Sequence, residues 1–256
     1  RAAPEKFMIA GAGGIGTGLF FRLEGMHPLG RNESRAAQLL PNRDYCKQHI
    51  ILHYLARLLG ERADVRPIGA VGGDDAGRAL LSEMAAAGMD TGHVRVVPGL
   101  ATLFSVCFEY PDGAGGNMTS SNGASAAVTP EDIDRFFAEL ASDAGPGLAL
   151  AAPEAPLAAR LRLLERGRER GWMTAASLLP AEAAAFDAAG GFALADVIAL
   201  NIDEAAAVAA LAADAGTGAG ADSRAVARRC AERIAAANPS AFILVTDGPR
   251  GSYSWA

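Results

Sequence analysis

Apolar positions in this chain keep switching between a two-residue and a helical period, and residues 66–94 show the switch most clearly. Residues 67–71 form a short apolar run of strand type, which Gly72-Gly73-Asp74-Asp75 breaks. Leu80, Leu81 and Met84 then fall on one helical face. Asp74 or Asp75 suits the cap of that helix, since a carboxylate there accepts unpaired first-turn N–H groups and complements the helix dipole. Gly88 suits the left-handed stop. The stretch predicts strand, glycine loop, helix and turn, and a strand that opens through glycines into a helix is where open α/β sheets bind ligands.

The same reading extends along the chain. Residues 6–10 predict a first strand, and residues 43–60 a polar loop running into a helix through Ile50, Ile51, Tyr54, Leu55 and Leu58, closed by Gly60. Residues 103–110 read as a strand through Phe104, Val106 and Phe108, turned by Pro111-Asp112-Gly113 into a small polar loop over 113–125. Thr129-Pro130-Glu131-Asp132 opens a helix to about residue 141. From Gly147 onward, strand and helix alternate: strand 148–151, helix 156–170, strand 172–175, a short helix near Ala181, and strand 195–200. Residues 212–221 read as a surface connection, Ser223 caps a helix to about Ala236 that Asn238-Pro239 stops, and 242–246 is a strand. This alternation predicts a parallel sheet with helices on its faces. The last residues, 252–256, form a strand-like run with no closing turn or helix, so the pattern reads as cut off there.

Composition narrows the class. The 256 residues suit one large α/β domain, and half of them are hydrophobic, as a globular core requires. A formal charge of −6 gives no general electrostatic pull toward nucleic acid or an anionic membrane, so neither is expected as a partner. Cys46, Cys107 and Cys230 lie far apart, without metal-type spacing, which predicts reduced thiols and a cytoplasmic setting. No apolar run is long enough to span a membrane.

Several motifs carry candidate chemistry. Gly11-Ala12-Gly13-Gly14-Ile15-Gly16 formally matches the dinucleotide fingerprint, but such a fingerprint requires a helix next and an acidic residue about 20 positions on. Leu19-Phe20-Phe21, Gly25 and Pro28 follow instead, so NAD binding is not expected. His49 and His53 stand four apart, as helix-borne metal ligands would, with no third ligand nearby. Asn201 and Glu204 follow a strand end one turn apart; they suit either a helix cap or the water shell of Mg²⁺. Glu154 follows another strand end and suits either a substrate contact or a helix-start carboxylate. The Thr246-Asp247-Gly248-Pro249-Arg250-Gly251 turn offers a hydroxyl and glycine N–H groups to an anion, or makes a hairpin. No GxxxxGK[ST] motif, nucleophile elbow or zinc cluster occurs.

Ile68, Gly69, Val71, Gly72, Asp74, Gly77, Leu81, Met84, Gly88 and Asp90 keep the spacing of a conserved stretch in the ribokinase-like (PfkB) carbohydrate kinases, which the chain resembles over most of residues 60–256. Glu154-Ala155-Pro156 resembles the family's E.P element, Asn201 and Glu204 its N..E motif, and Thr246 to Gly251 its turn near the nucleotide phosphates. The resemblance implies a three-layer α/β sandwich with a mostly parallel sheet, a small β lid from segments near 17–30 and 95–120, and a lid edge through which two copies pair. It implies ATP-dependent phosphorylation of a hydroxyl on a sugar, nucleoside or related small molecule. Asp44, Lys47, His49, Gly72 and Glu154 would meet substrate, Asn201, Thr246, Gly248 and Gly251 the nucleotide, and Glu204 the Mg²⁺. The chain departs from the family where Gly16, Thr17 and Gly18 replace a substrate aspartate, and where Tyr45, Cys46 and Ile50 replace two glycines and an asparagine. The family's GAGD segment, with its anion hole and base, is absent and would be expected beyond Ala256. Two other classes stand beside the kinase: a non-catalytic ligand-binding relative, and an NAD-binding oxidoreductase.

Overall fold

Strand and helix signals alternate through most of the sequence, and the chain folds accordingly into a layered sheet. A computed structural model describes residues 6–141, 145–211 and 222–256. In chain order the elements are β1 (Phe7–Ala12), β2 (Gly16–Leu23), β3 (Ala37–Tyr45), α1 (Lys47–Leu59), β4 (Ala63–Gly72), α2 (Asp75–Ala86), β5 (Val94–Val97), β6 (Leu103–Glu109), β7 (Gly115–Thr119), α3 (Pro130–Glu139), β8 (Gly147–Ala151), α4 (Leu157–Glu169), β9 (Met173–Ala176), α5 (Ala183–Ala188), α6 (Gly191–Leu194), β10 (Val197–Asn201), α7 (Ile202–Ala209), α8 (Ser223–Ala237), β11 (Phe242–Thr246) and β12 (Ser252–Trp255). The large sheet runs β12-β11-β10-β9-β8-β1-β4-β5, parallel except at β11/β12. A second sheet, β3-β2-β6-β7, forms the lid.

Alternate residues of each strand feed opposite layers. On one face Ile9, Val65, Val71 and Leu150 pack against Leu52 of α1 and Leu80 and Met84 of α2. On the other, Met8, Ala10, Ile68 and Ala149 meet Ile133, Phe136 and Phe137 of α3 and Leu163 of α4. The same side continues as Ala176, Ile198, Leu200, Ile243 and Val245 under α7 and α8. Met173 and Phe242, which point away from that cluster, are exposed. Among the described residues no helix is long and apolar enough to cross a membrane.

Several expected details resolve. Asp74, rather than Asp75, caps α2: its Oδ1 accepts from Gly77 N at 2.8 Å, and its Oδ2 accepts from Thr102 N at 2.8 Å, tying the cap to the base of the lid. Gly88 takes the left-handed conformation at φ 96°. Three readings need correction. Residues 43–45 end a strand, β3, rather than a polar loop; β7 lies within the stretch read as loop over 113–125; and Asp222, not Ser223, caps α8 through Arg224 N. The connection expected over 212–221 lies outside the described residues.

Candidate active site at the carboxyl edge

β1, β8, β9, β10 and β11 are parallel, so their carboxyl ends line one edge of the sheet, and the lid rises from that edge. The chain turns from β1 into β2 through Gly13 and Gly14, and there the backbone of β8's exit comes very close. Gly14 N donates to Pro153 O at 2.9 Å, and a Cβ on Gly14 would stand 2.5 Å from the Cβ of Glu154. These glycines serve close approach of two strand ends. Strand β2, not a helix, follows them, so no helix N-terminus faces a dinucleotide and the oxidoreductase reading loses its footing.

Across the lid, Asp44 of β3, Gly18 of β2 and Ser105 of β6 stand in one register row. Ser105 Oγ donates to Asp44 Oδ2 across the glycine. A Cβ on Gly18 would lie 2.1 Å from Ser105 Oγ, so only glycine leaves that bond its path. Asp44 thus stands beside Gly18 on the neighbouring strand. Cys46 and Cys107 flank the same carboxylates. Burial first, then Glu154 and Asp44, push the Cys46 thiol up; burial first, then Asp44, push Cys107 up to about 12. Both stay protonated at neutral pH and are poor nucleophiles.

Lys47 opens α1 and reaches the exit of β9 and the first turn of α7: its Nζ lies 3.2 Å from Ser177 Oγ and pairs with Glu204 Oε1. Glu204 is 2 % exposed. Its Oε2 accepts from Asn201 N at 2.9 Å while Asn201 Oδ1 accepts from Glu204 N at 2.8 Å, a reciprocal cap at the start of α7. Glu154 adopts φ 73°, the one left-handed non-glycine among the described residues, and its Oε2 is buried without a hydrogen-bond partner. Burial is the main cause that raises its pKa, with Asp44 adding to it and Cys46 and Lys47 opposing. Beneath it, Arg160 is wholly buried; its Nε donates to Ala155 O at 3.0 Å and its Nη2 pairs with Glu182. A cleft of about 470 Å³ opens beside Glu154.

The structure therefore brings Asp44, Lys47, Glu154 and Glu204 together and adds Cys46, Ser105, Cys107 and Ser177, which sequence reading missed. His49 is not with them. Two residues along α1 rotate a side chain by about 200°, so His49 turns away from Lys47 into a separate cavity with Tyr45, His53 and Glu83. Burial first, then His53, lowers its pKa to about 4. Gly72 also lies apart: its N donates to Thr102 Oγ1 at 2.9 Å, and a Cβ there would stand 2.4 Å from Leu100 O. Thr246 ends β11, and residues 247–251 form the hairpin turn into β12, with Gly248 and Gly251 both at positive φ. Asp247 accepts from Arg250 Nε at 2.9 Å and Nη2 at 2.6 Å; that bond holds its carboxyl below the usual range.

A profile described as pfkB family carbohydrate kinase matches residues 51–255. The chain belongs to this family. Among solved structures, ribokinase from Giardia lamblia is similar at 20 % identity and a TM-score of 0.72, covering 98 % of this chain and 72 % of that one. A nucleoside kinase from Burkholderia thailandensis, solved with inosine, is similar at 20 % identity and a TM-score of 0.65, covering 96 % and 72 %. Ribokinase from Cryptococcus neoformans var. grubii serotype A, solved with ADP, is similar at 17 % identity and a TM-score of 0.65, covering 98 % and 76 %. These likenesses show the fold, a pfkB-type sandwich with a mostly parallel central sheet. No curated protein matches the chain.

In this pfkB-family site the residues present do not make a ready magnesium centre. Both oxygens of Glu204 are engaged, by Lys47 and by Asn201 N, and no group of three His, Cys, Asp or Glu side chains able to hold a metal occurs among the described residues. Glu204 is also not the solvated carboxylate that a metal-shell role would make it. Replacing it removes a cap worth about 1 kcal/mol and leaves Lys47 without its partner. Because Lys47 is over a third exposed, that second cost is reduced by solvent. Glu204→Ala should lower stability by roughly 1–3 kcal/mol, and Glu204→Gln by less, since an amide still accepts from Asn201 N. Thermal melts of both variants measure the difference; equal melting points for wild type and Glu204→Ala would show that the cap and pair contribute nothing.

Proposed function

We propose that this pfkB-family chain acts on a small molecule as a phosphotransferase, with ATP as donor and a hydroxyl of a sugar, nucleoside or related compound as acceptor. The observation that carries the reading is the convergence of Asp44 and Lys47, at the junction of β3 and α1, with Glu154, at the exit of β8, under the lid at the carboxyl edge of the sheet. Asp44 and Glu154 supply acceptors for substrate hydroxyls. Lys47 supplies a cation within reach of a transferring phosphoryl group. The nucleotide is proposed to lie toward Asn201, Thr246, Gly248 and Gly251, whose N–H groups and hydroxyl suit phosphate oxygens. In such reactions the protein mainly positions the reactants and stabilises charge. Magnesium would accompany the nucleotide, which usually leaves it several waters and few protein ligands.

Apart from Glu154, whose unpartnered Oε2 is buried, no carboxylate of the site among the described residues is free to act as base. Asp44 is held by Ser105 and Asp247 by Arg250, and the GAGD segment does not occur in the sequence. Residues 1–256 should therefore bind nucleotide with little turnover, a positioned general base being worth about 10²- to 10⁴-fold. Calorimetric titration with ATP and a non-hydrolysable analogue, beside a turnover assay, tests both halves. Absence of nucleotide binding at millimolar concentration would remove the kinase reading and leave the non-catalytic ligand-binding relative, which the engaged state of Glu204 and Asp247 favours. Rapid turnover would place the base within residues 1–256. NADH should not bind.

A further inference from the structure

The cleft beside Glu154 does not coincide with the cluster just described. Of that cluster it touches Glu154 alone, and from there it runs away from Lys47 and Asp44, between β7 with the segment after it and the start of α4. We propose that this chamber holds the non-reacting part of the substrate, and that this part is an uncharged, flat group with apolar faces, so that the substrate is a nucleoside-like polyol rather than a free monosaccharide or a sugar phosphate. The assignment of the reacting hydroxyl to the Glu154 end rests on the function proposed above; the preference of the chamber does not.

Three features carry the inference. The first is charge. Glu154 and Glu182 are the charged residues in the chamber wall, and neither lysine nor arginine lines it. Glu182 is satisfied by Arg160 and by Leu179 N at 3.0 Å, whereas the Oε2 of Glu154, a residue of the chamber wall, is buried without a hydrogen-bond partner. A phosphate or carboxylate there would meet this carboxylate with no lysine or arginine in the chamber wall to offset it, which is repulsive at close range. A hydroxyl or N–H donor would instead satisfy the orphaned oxygen.

The second is the wall itself. Leu103, Ala126, Pro156, Leu157 and Leu179 present apolar surface on which a sugar ring gains little and a flat heterocycle or other planar group gains with every apolar contact. The third is the polar rim. Asn117, Thr119, Ser120 and Ser121 offer neutral donors and acceptors, suited to the edge polar atoms of such a group. At about 470 Å³ the chamber is within the usual range for sites that enclose whole organic ligands, and a lone pentose would leave most of it to water.

Calorimetric titration of the 256-residue chain with uridine, adenosine, ribose and ribose 5-phosphate, in the absence of any phosphoryl donor, tests this directly. At least one nucleoside should bind about tenfold or more tighter than ribose, and ribose 5-phosphate should bind weakest. A ribose 5-phosphate affinity equal to or above that of ribose overturns the inference, as does equal affinity for ribose and both nucleosides, or binding by none of the four. Ser121→Trp, at an exposed position on the rim, should fold as wild type and block the chamber. It should reduce nucleoside affinity to that of ribose and leave ribose unchanged; unaltered nucleoside binding would place the group elsewhere. Since no donor is present, failure of ATP binding or of turnover bears on the kinase reading alone.

Discussion

Arg160→Met is expected to lower the melting temperature by roughly 6–20 °C, from a loss of about 3–5 kcal/mol on unpairing a buried ion and about 2–4 °C per kcal/mol for a domain of this size. Arg160 has no exposed surface, and its guanidinium reaches Ala155 O at 3.0 Å, Ser177 O at 3.4 Å and the carboxylate of Glu182. It therefore ties together the exits of β8 and β9, which carry Glu154 and Ser177. Methionine fills much of the space but donates nothing, so two carbonyls and a carboxylate at the chamber wall lose a partner. Arg160→Met combined with Glu182→Leu should recover part of the loss, since an apolar pair removes the stranded charge. Recovery stays partial, because Glu182 also accepts from Leu179 N. Circular-dichroism melts of the three proteins decide the matter. A single variant melting within a degree or two of wild type, by about the same conversion, would mean the arginine is not buried as described.

Glu154→Gly should have opposite effects on stability and binding. The residue stands at φ 73°, a conformation that costs an L-residue about 1–2 kcal/mol and costs glycine nothing sterically. Glycine's larger unfolded-state entropy offsets roughly 0.5–1 kcal/mol of that relief. The buried carboxyl adds a pH-dependent part. Its folded pKa is raised chiefly by burial, so the unfolded chain ionises first, and the stability this group contributes is fully present below the ordinary carboxylate pKa and lost as pH rises through the raised folded value. The variant should thus be at least as stable as wild type in acid, and its advantage should grow as pH rises through that window. Ligand affinity should fall about 10- to 150-fold, the equivalent of a charged hydrogen bond worth roughly 1.5–3 kcal/mol. Melts across pH with parallel titrations test both. A variant destabilised at neutral pH with unchanged binding would show that Glu154 caps or packs and does not recognise.

Elements whose signal lies within a few residues were readable before any fold was known. The β4–α2 unit follows from its apolar run, its glycine break and the Asp74 cap, all inside residues 63–88. The reciprocal pair Asn201 and Glu204 is three residues apart, so its local geometry is implied by its spacing. Strands β3 and β7 escaped because they carry no alternation. Most of β3 and all of β7 are solvent-facing, β3 contains Pro41, and β7 is glycine-led; such strands exist through pairing with β2 and β6 rather than through their own pattern.

Periodicity, spacing and motif order already specify a mostly parallel α/β sheet, most of its elements in order, the family, and the candidate residues Asp44, Lys47, Glu154 and Glu204. Which of them meet depends on the fold. Lys47 finds Glu204 across 157 residues and Ser177 across 130, Ser105 reaches Asp44 over Gly18, Arg160 anchors the strand ends, and His49 is turned out by the pitch of its helix. Those contacts depend on strand order and on which glycines let backbones approach, and neither quantity is encoded in a window of neighbouring residues: periodicity fixes the face a side chain occupies on its own element, while sheet order and close approach fix what stands opposite that face.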